Sequence, residues 1–352
     1  MNVSVVGAGA IGLSVAWRLL RRGARVAVYE RGEVGRGATW ASGGLLAATA
    51  GHGGPLGTPL DALCRDSLAR WPAFARELAE ASGRDVGVRA EGTLVVALDA
   101  AEATSLGTVF EAWRAAGDAA QRWLGPGAVA ALEPALADTV VAARFCPDDT
   151  QVDARRLAGA LAEAVRRAGG VIHEHADVSL DALDADVVVL AAGAWSAQVR
   201  GAPPVPVRPL KGQMIALRDP SPTPLRHVVF THDAYLVPRD GGRLLVGATV
   251  EERGFDVTVT DDAMRLLRDA AARAVPALAD APLDEAWAGL RPATPDGAPL
   301  LGRLTDRLVV AAGHGRNGIL LTPVTGEVIA DLVLEGRTVG IEAFDPRRFE
   351  GR

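Results

Sequence analysis

The sequence predicts a chain of mixed class, part α/β and part α+β, and three observations predict it. Val3, Val5 and Val6 lead into Gly7-Ala8-Gly9-Ala10-Ile11-Gly12, the opening of a strand-turn-helix unit. Two continuous aliphatic runs, Val187-Val188-Val189-Leu190-Ala191-Ala192-Gly193 and Leu308-Val309-Val310-Ala311-Ala312-Gly313, read as strands of a parallel sheet covered on both faces. Between residues 203 and 250 the texture changes to short alternating runs separated by Pro and Gly, which read as an antiparallel sheet.

The first unit has the layout of a Rossmann-like dinucleotide site. Gly7 suits a tight turn, Gly9 lets the backbone approach a pyrophosphate, and Gly12 lets the following helix pack on the strand. The helix then offers the phosphates free N–H groups and the positive end of its dipole. A second apolar run, Val26-Ala27-Val28-Tyr29, ends in Glu30, eighteen residues after Gly12. A carboxylate there accepts hydrogen bonds from ribose hydroxyls and repels a 2′-phosphate, which favours FAD or NAD over NADP. A glycine turn alone is a weak signal; strand, helix, strand and carboxylate in order make it specific.

Leu13, Ala16, Trp17 and Leu20 recur at helical spacing behind that turn, with Gly23 as the stop. Residues 60–81 repeat the pattern through Leu63, Leu68, Trp71, Phe74 and Leu78. Residues 91–98 read as a strand, 104–136 as two or three short helices, and 153–168 as an amphipathic helix stopped by Gly169-Gly170. Strands over 213–217, 235–237 and 243–246 carry a helix over 264–275, and a last helical segment spans 319–334. The expected organisation is a discontinuous nucleotide-binding domain of residues 1–84, 152–202 and 296–352. A substrate-binding domain of residues 85–151 and 203–295 is inserted into it twice.

Of 352 residues, 49% are hydrophobic and 23% charged, ordinary for a globular chain large enough for two cores. A formal charge of −6 gives no long-range attraction for nucleic acid or anionic lipid. Cys64 and Cys146 lack metal-ligand or C-x-x-C spacing and read as incidental thiols. No charged leader precedes the first strand, and no run approaches the roughly twenty apolar residues of a membrane helix, so a cytoplasmic protein is expected.

Several residues are candidates for chemistry. Gly313-His314-Gly315-Arg316-Asn317-Gly318 stands between a buried strand and a helical segment, a second set of backbone N–H groups able to hold a developing anion; a tight turn with a solvated arginine is the alternative. In Trp287-Ala288-Gly289-Leu290-Arg291-Pro292 the proline biases Arg291 toward an extended backbone, where its planar fork matches a carboxylate, or pairs structurally with Asp296. Tyr235, in Tyr235-Leu236-Val237-Pro238-Arg239, is either a packed aromatic or a site hydroxyl. His52 reads as a loop histidine, His173 and His175 have no third ligand, and no metal site or Ser/Cys nucleophile motif is present.

In the order in which they occur, these segments, with Val246-Gly247-Ala248-Thr249 and Ile319-Leu320-Leu321, resemble the D-amino-acid-oxidase-like flavoproteins over nearly the whole chain, the glycine-oxidase branch above all. The resemblance implies FAD held by Ala10, Ile11, Glu30, Arg31, Ala38, Thr39, Gly43, Gly44, Leu45 and the backbone of Val178. It also implies the loop of His314, Gly315, Arg316, Asn317, Gly318, Ile319 and Leu320 as part of that site. By the same resemblance Arg291 binds the substrate carboxylate, Tyr235 supports it, and Arg316 lies near substrate and flavin. Related enzymes attach FAD through a C-terminal cysteine; none follows Cys146 here, so non-covalent FAD is implied.

Two departures stand out: the segment after Val178 is short, and Val250 stands where a longer methionine can wall the pocket. The implied reaction is oxidation of glycine, or another small amino acid or N-methylglycine, to the imine, with O2 reduced to peroxide, serving thiamine thiazole synthesis. A D-amino-acid dehydrogenase or a sarcosine-oxidase-like enzyme is the alternative. A homo-oligomer, by resemblance a tetramer, is expected.

Overall fold

The computed structural model describes residues 1–50, 55–221 and 224–350, so His52 lies outside the described residues. Six strands form the first sheet in the order Leu300–Arg303, Leu308–Ala312, Val187–Leu190, Asn2–Val6, Arg25–Tyr29, Val171–His173. All neighbours run parallel except the first pair. Every residue of Val187–Leu190 and Leu308–Ala312 is buried, as continuous aliphatic strands require when both faces are covered.

Helices Ala10–Arg21, Pro59–Ser82, Ala154–Arg167 and Thr322–Glu335 cover one face, where Leu13, Trp17, Trp71, Phe74, Leu161 and Ile329 join the strand side chains in one core. On the other face Val6, Val188, Leu190 and Val310 pack against Leu180, Leu183, Val205 and Val207. The helix ends follow local chemistry. The Asp153 side chain accepts from the Arg155 and Arg156 N–H groups at the start of Ala154–Arg167, and Thr58 caps Pro59–Ser82, which ends at Gly83 in the left-handed region.

The second sheet has eight strands, in the order Leu283–Ala293, Arg208–Arg218, Arg243–Gly247, Tyr235–Pro238, Val228–Phe230, Thr93–Ala97, Ala142–Cys146, Arg122–Leu124. Helix Asp261–Ala274 packs on it through Leu267, Ala270, Ala271 and Ala274. One join departs from the antiparallel expectation: Val228–Phe230 runs parallel to Thr93–Ala97. That join links two separate excursions of the chain, so no hairpin dictates its direction.

Two further differences concern single strands. Arg122–Leu124 breaks the stretch expected to be short helices, because it completes the sheet edge beside Ala142–Cys146. Leu283–Ala293 is a long strand laid along Arg208–Arg218 from the Arg208–Ala293 pair to the Leu217–Leu283 pair, and it carries both Trp287 and Arg291.

Candidate active site

A cleft of about 510 Å³ opens at the carboxyl ends of the first sheet, beside Val6, Ala191, Ala192, Ala311 and Ala312, and extends to the second sheet at Arg291 and Tyr235. Open α/β sheets bind ligands at that edge. Gly7 has φ 110°, and a Cβ there would strike the Ala191 carbonyl, so the position accepts only glycine. Helix Ala10–Arg21 begins at Gly9 with no side-chain cap, and the Ala10 N–H donates to Thr39 Oγ1 at 3.0 Å. Its N-terminus thus faces the cleft as an anion site.

Glu30 is held by backbone donors. Its carboxylate accepts from the Ala8 N–H at 2.9 Å and the Gly32 N–H at 3.0 Å, which leaves further lone pairs for ribose hydroxyls. Arg31 stacks on Trp195, 4.3 Å from the ring centroid. Ile11, Ala38, Gly43, Leu45 and Val178 also line this part of the cleft, as do Gly9, Ala10 and Thr39.

His314, Gly315, Arg316, Gly318 and Ile319 line it from the loop ahead of Thr322–Glu335. Burial pushes the His314 imidazole down to about 3, so it is neutral, with Nε2 3.1 Å from Thr325 Oγ1. Ser67 Oγ and Trp71 Nε1 donate to the Leu320 carbonyl at 2.6 and 2.9 Å and tie that loop to helix Pro59–Ser82. Four expected residues do not line the cleft. Gly12 and Gly44 back it, against the carbonyls of Gly7 and Val152, while Asn317 and Leu320 are buried within the loop.

At the other end, Arg291 Nη1 donates to the carbonyls of Lys211 at 3.3 Å and Thr249 at 3.1 Å. Among the described residues no carboxylate lies within salt-bridge distance of Arg291; Asp296, its candidate structural partner, pairs instead with Arg348 at 2.8 Å. The guanidinium fits because residue 212 is glycine: a Cβ there would lie within 2.6 Å of Nη2. The Tyr235 hydroxyl is 3.6 Å from Met214 Sδ. Burial pushes its pKa above the ordinary tyrosine value, against the opposing pull of Arg291 and Arg316, so the phenol is neutral. Val250 lines the mouth and is 58% exposed.

Sequence reasoning missed several residues here. Gly212, Met214 and Trp195 all line the cleft. Ala47 and Ala50 pack with Met214, Phe230 and Tyr235 behind it. Asp149 is fully buried and accepts from the Thr49 N–H at 3.1 Å and the Ala50 N–H at 2.7 Å. Burial pushes its pKa up to about 6, although those N–H groups and Arg144 pull it down. No residue-type signal marks Asp149 in the sequence, because its role comes from burial.

The residues present fit FAD: a glycine turn beside the pyrophosphate position, a fixed carboxylate for the ribose, and one continuous cleft reaching the second sheet. Neither cysteine lines that cleft; both are buried, and burial pushes the Cys146 thiol up to about 12. The described residues contain no metal-binding cluster.

Comparison with known proteins agrees. Residues 2–332 match the family described as FAD dependent oxidoreductase. The chain belongs to that family. Glycine oxidase of Geobacillus kaustophilus is 38% identical over 98% of this chain and 94% of its own length. The crystal structure of that organism's glycine oxidase superposes with a TM-score of 0.92 at 37% identity, covering 99% of each chain. The bifunctional protein ThiO/ThiG of Synechocystis sp. is 36% identical over 99% of this chain, which spans 54% of that longer protein. As a member of the family, the chain is an FAD-dependent enzyme. No helix among the described residues is long and apolar enough to cross a membrane.

Proposed function

We propose that this enzyme oxidises glycine, or another small amino acid or N-methylglycine, to the imine while O2 is reduced to H2O2, in the service of thiamine thiazole synthesis. The observation that carries this reading is Arg291: a guanidinium fixed on two backbone carbonyls, with no carboxylate partner among the described residues, at the far end of a dinucleotide cleft. We assign the nucleotide-binding part to residues 1–84, 152–202 and 296–352 and the substrate-binding part to 85–151 and 203–295, in the cytoplasm.

When bound, FAD supplies the two-electron acceptor and its reoxidation by O2. The protein supplies position. Arg291 takes the substrate carboxylate in a planar, charge-assisted pair, which converts the encounter into a nearly unimolecular problem. The neutral Tyr235 hydroxyl is a second donor to that carboxylate, and Arg316 adds positive charge at the same end. His314 is neutral and adds no charge to the loop; the Gly315 and Asn317 N–H groups already donate to the Pro292 and His314 carbonyls, and the remaining loop N–H groups would be donors to bound FAD. In balance, glycine loses two electrons and two protons from its C–N unit, and O2 takes them up as H2O2.

The test is an anaerobic titration of the yellow holoenzyme with glycine and with sarcosine. Loss of the visible flavin band, its return in air and one equivalent of peroxide are expected. No bleaching by any small amino acid would overturn the assignment, and bleaching without peroxide in air would make the enzyme a dehydrogenase.

A further inference from the structure

Lys211 is the only lysine in the chain, and it is 1% exposed. It lies on strand Arg208–Arg218, where Gly212 and Met214 face the cleft and the alternating side chains of Lys211 and Gln213 turn to the opposite face. Behind the sheet, Lys211 Nζ pairs with Asp256 at 3.0 Å. Asp256 belongs to the segment 249–260, which leaves the strand Arg243–Gly247 and returns to helix Asp261–Ala274.

That segment is tied down along its length. The Lys211 and Glu251 backbones exchange hydrogen bonds of 2.9 and 3.0 Å. Gln213 Nε2 donates to Glu251 at 2.8 Å, and Gln213 Oε1 accepts from the Thr260 N–H at 2.8 Å. The Thr258 hydroxyl and amide, together with Lys211, hold the Asp256 carboxyl well below its usual range. Between these ties Phe255 meets Trp195, at 5.6 Å between centroids, and Trp195 lines the cleft and carries Arg31.

The connection to the site is direct. Both carbonyls that hold Arg291, those of Lys211 and Thr249, come from this tie: one from the lysine itself, one from the first residue of the segment. We propose that Lys211 is a positioning residue for substrate binding, clamping the 249–260 strap through Asp256 so that the Thr249 carbonyl keeps Arg291 in register and Phe255 keeps Trp195 against the cleft. The inference rests on the reading of Arg291 as the carboxylate-binding residue. Its physical basis is that the Lys211 ammonium is buried and Asp256, half-exposed on the strap, is the carboxylate it pairs with among the described residues, so removing that charge leaves a buried cation short of its partner.

Because the chain has one lysine, its amine reports on the strap without interference. Holoenzyme treated with an acetylating N-hydroxysuccinimide ester should label the exposed Met1 amine readily and Lys211 only slowly, as read by mass spectrometry. Asp256→Asn keeps the acceptor for the Thr258 N–H and removes the charge. It should speed Lys211 labelling at least tenfold and raise KM for glycine about 2- to 30-fold with kcat changed much less. Asp256→Glu, which keeps the charge, should bring both back toward wild type, and Lys211→Met should reproduce the KM effect.

Wild-type Lys211 labelling as fast as Met1, or Asp256→Asn leaving either the labelling rate or KM unchanged, would overturn the clamp. Arg291→Ala separates the two failures. An unchanged KM in that variant rejects the carboxylate reading itself, whereas a large loss there beside a normal Asp256→Asn enzyme rejects the clamp alone.

Discussion

On the proposed reading, Arg291 acts through geometry as much as charge. Its Nη1 is satisfied by two carbonyls, which fixes the plane of the fork while the cation meets no carboxylate among the described residues. Arg291→Ala is expected to cost about 2–5 kcal/mol, or roughly 30- to several-thousand-fold in kcat/KM, with FAD content near wild type. Arg291→Lys should recover only part of this, since an ammonium keeps charge without the fork, and Tyr235→Phe should cost less than Arg291→Ala. Gly212→Ala is a sharper check, because the substituted residue keeps every charge in place. Its Cβ would lie within 2.6 Å of Nη2, and the displaced guanidinium should raise KM by about tenfold, on the 1–3 kcal/mol scale of overpacking. Steady-state kinetics on these variants, with flavin content measured alongside, decide both points.

Among the elements, the segment 47–50 owes its place to a buried carboxylate from another part of the chain. Asp149 accepts two of its N–H groups, and the Arg144 guanidinium on Thr49 O and Gln121 Oε1 braces the same spot. With its pKa pushed up to about 6 in the folded protein against 3.8 ordinarily, Asp149 binds its proton more tightly folded than unfolded. Its contribution to stability is therefore full below pH 3.8 and is lost as pH rises through about 6. Between those limits the slope approaches about 1.4 kcal/mol per pH unit. Thermal unfolding of wild type and Asp149→Asn across pH 4–8 should show wild type losing stability relative to the variant up to about pH 6, with a constant gap above pH 7. A gap that does not change with pH would place the titration elsewhere.

At the scale of the whole molecule, the cleft draws residues from both sheets and from the loop ahead of the last helix, so cofactor and fold should be linked. A ligand that binds only the folded state at about a thousand times its Kd adds roughly 4 kcal/mol. Stripping FAD should lower Tm by several degrees, and adding it back should restore both Tm and colour. The flavin should leave the chain on denaturation, since neither cysteine reaches the cleft. Flavin retained by the unfolded chain, or a Tm indifferent to FAD, would contradict this.

The sequence by itself determined the units whose signals are local. Glycines 7, 9 and 12 ahead of a periodic helix, Glu30 closing the next strand, and the fully apolar runs ending at Leu190 and Ala312 are legible because strand and helix periodicity act over a few residues. Other features exist only in three dimensions. The parallel join of Val228–Phe230 to Thr93–Ala97 unites excursions more than a hundred residues apart in sequence, and no pattern within either strand encodes its direction. The strand Leu283–Ala293 takes its length from its partner Arg208–Arg218, against which it lies. The room Gly212 leaves for Arg291, the Asp149 brace under Thr49 and Ala50, and the clamp of Lys211 on Asp256 are likewise products of packing. Residue type states what chemistry a side chain can do; burial and the choice of neighbour, which only the folded chain decides, state whether it does so.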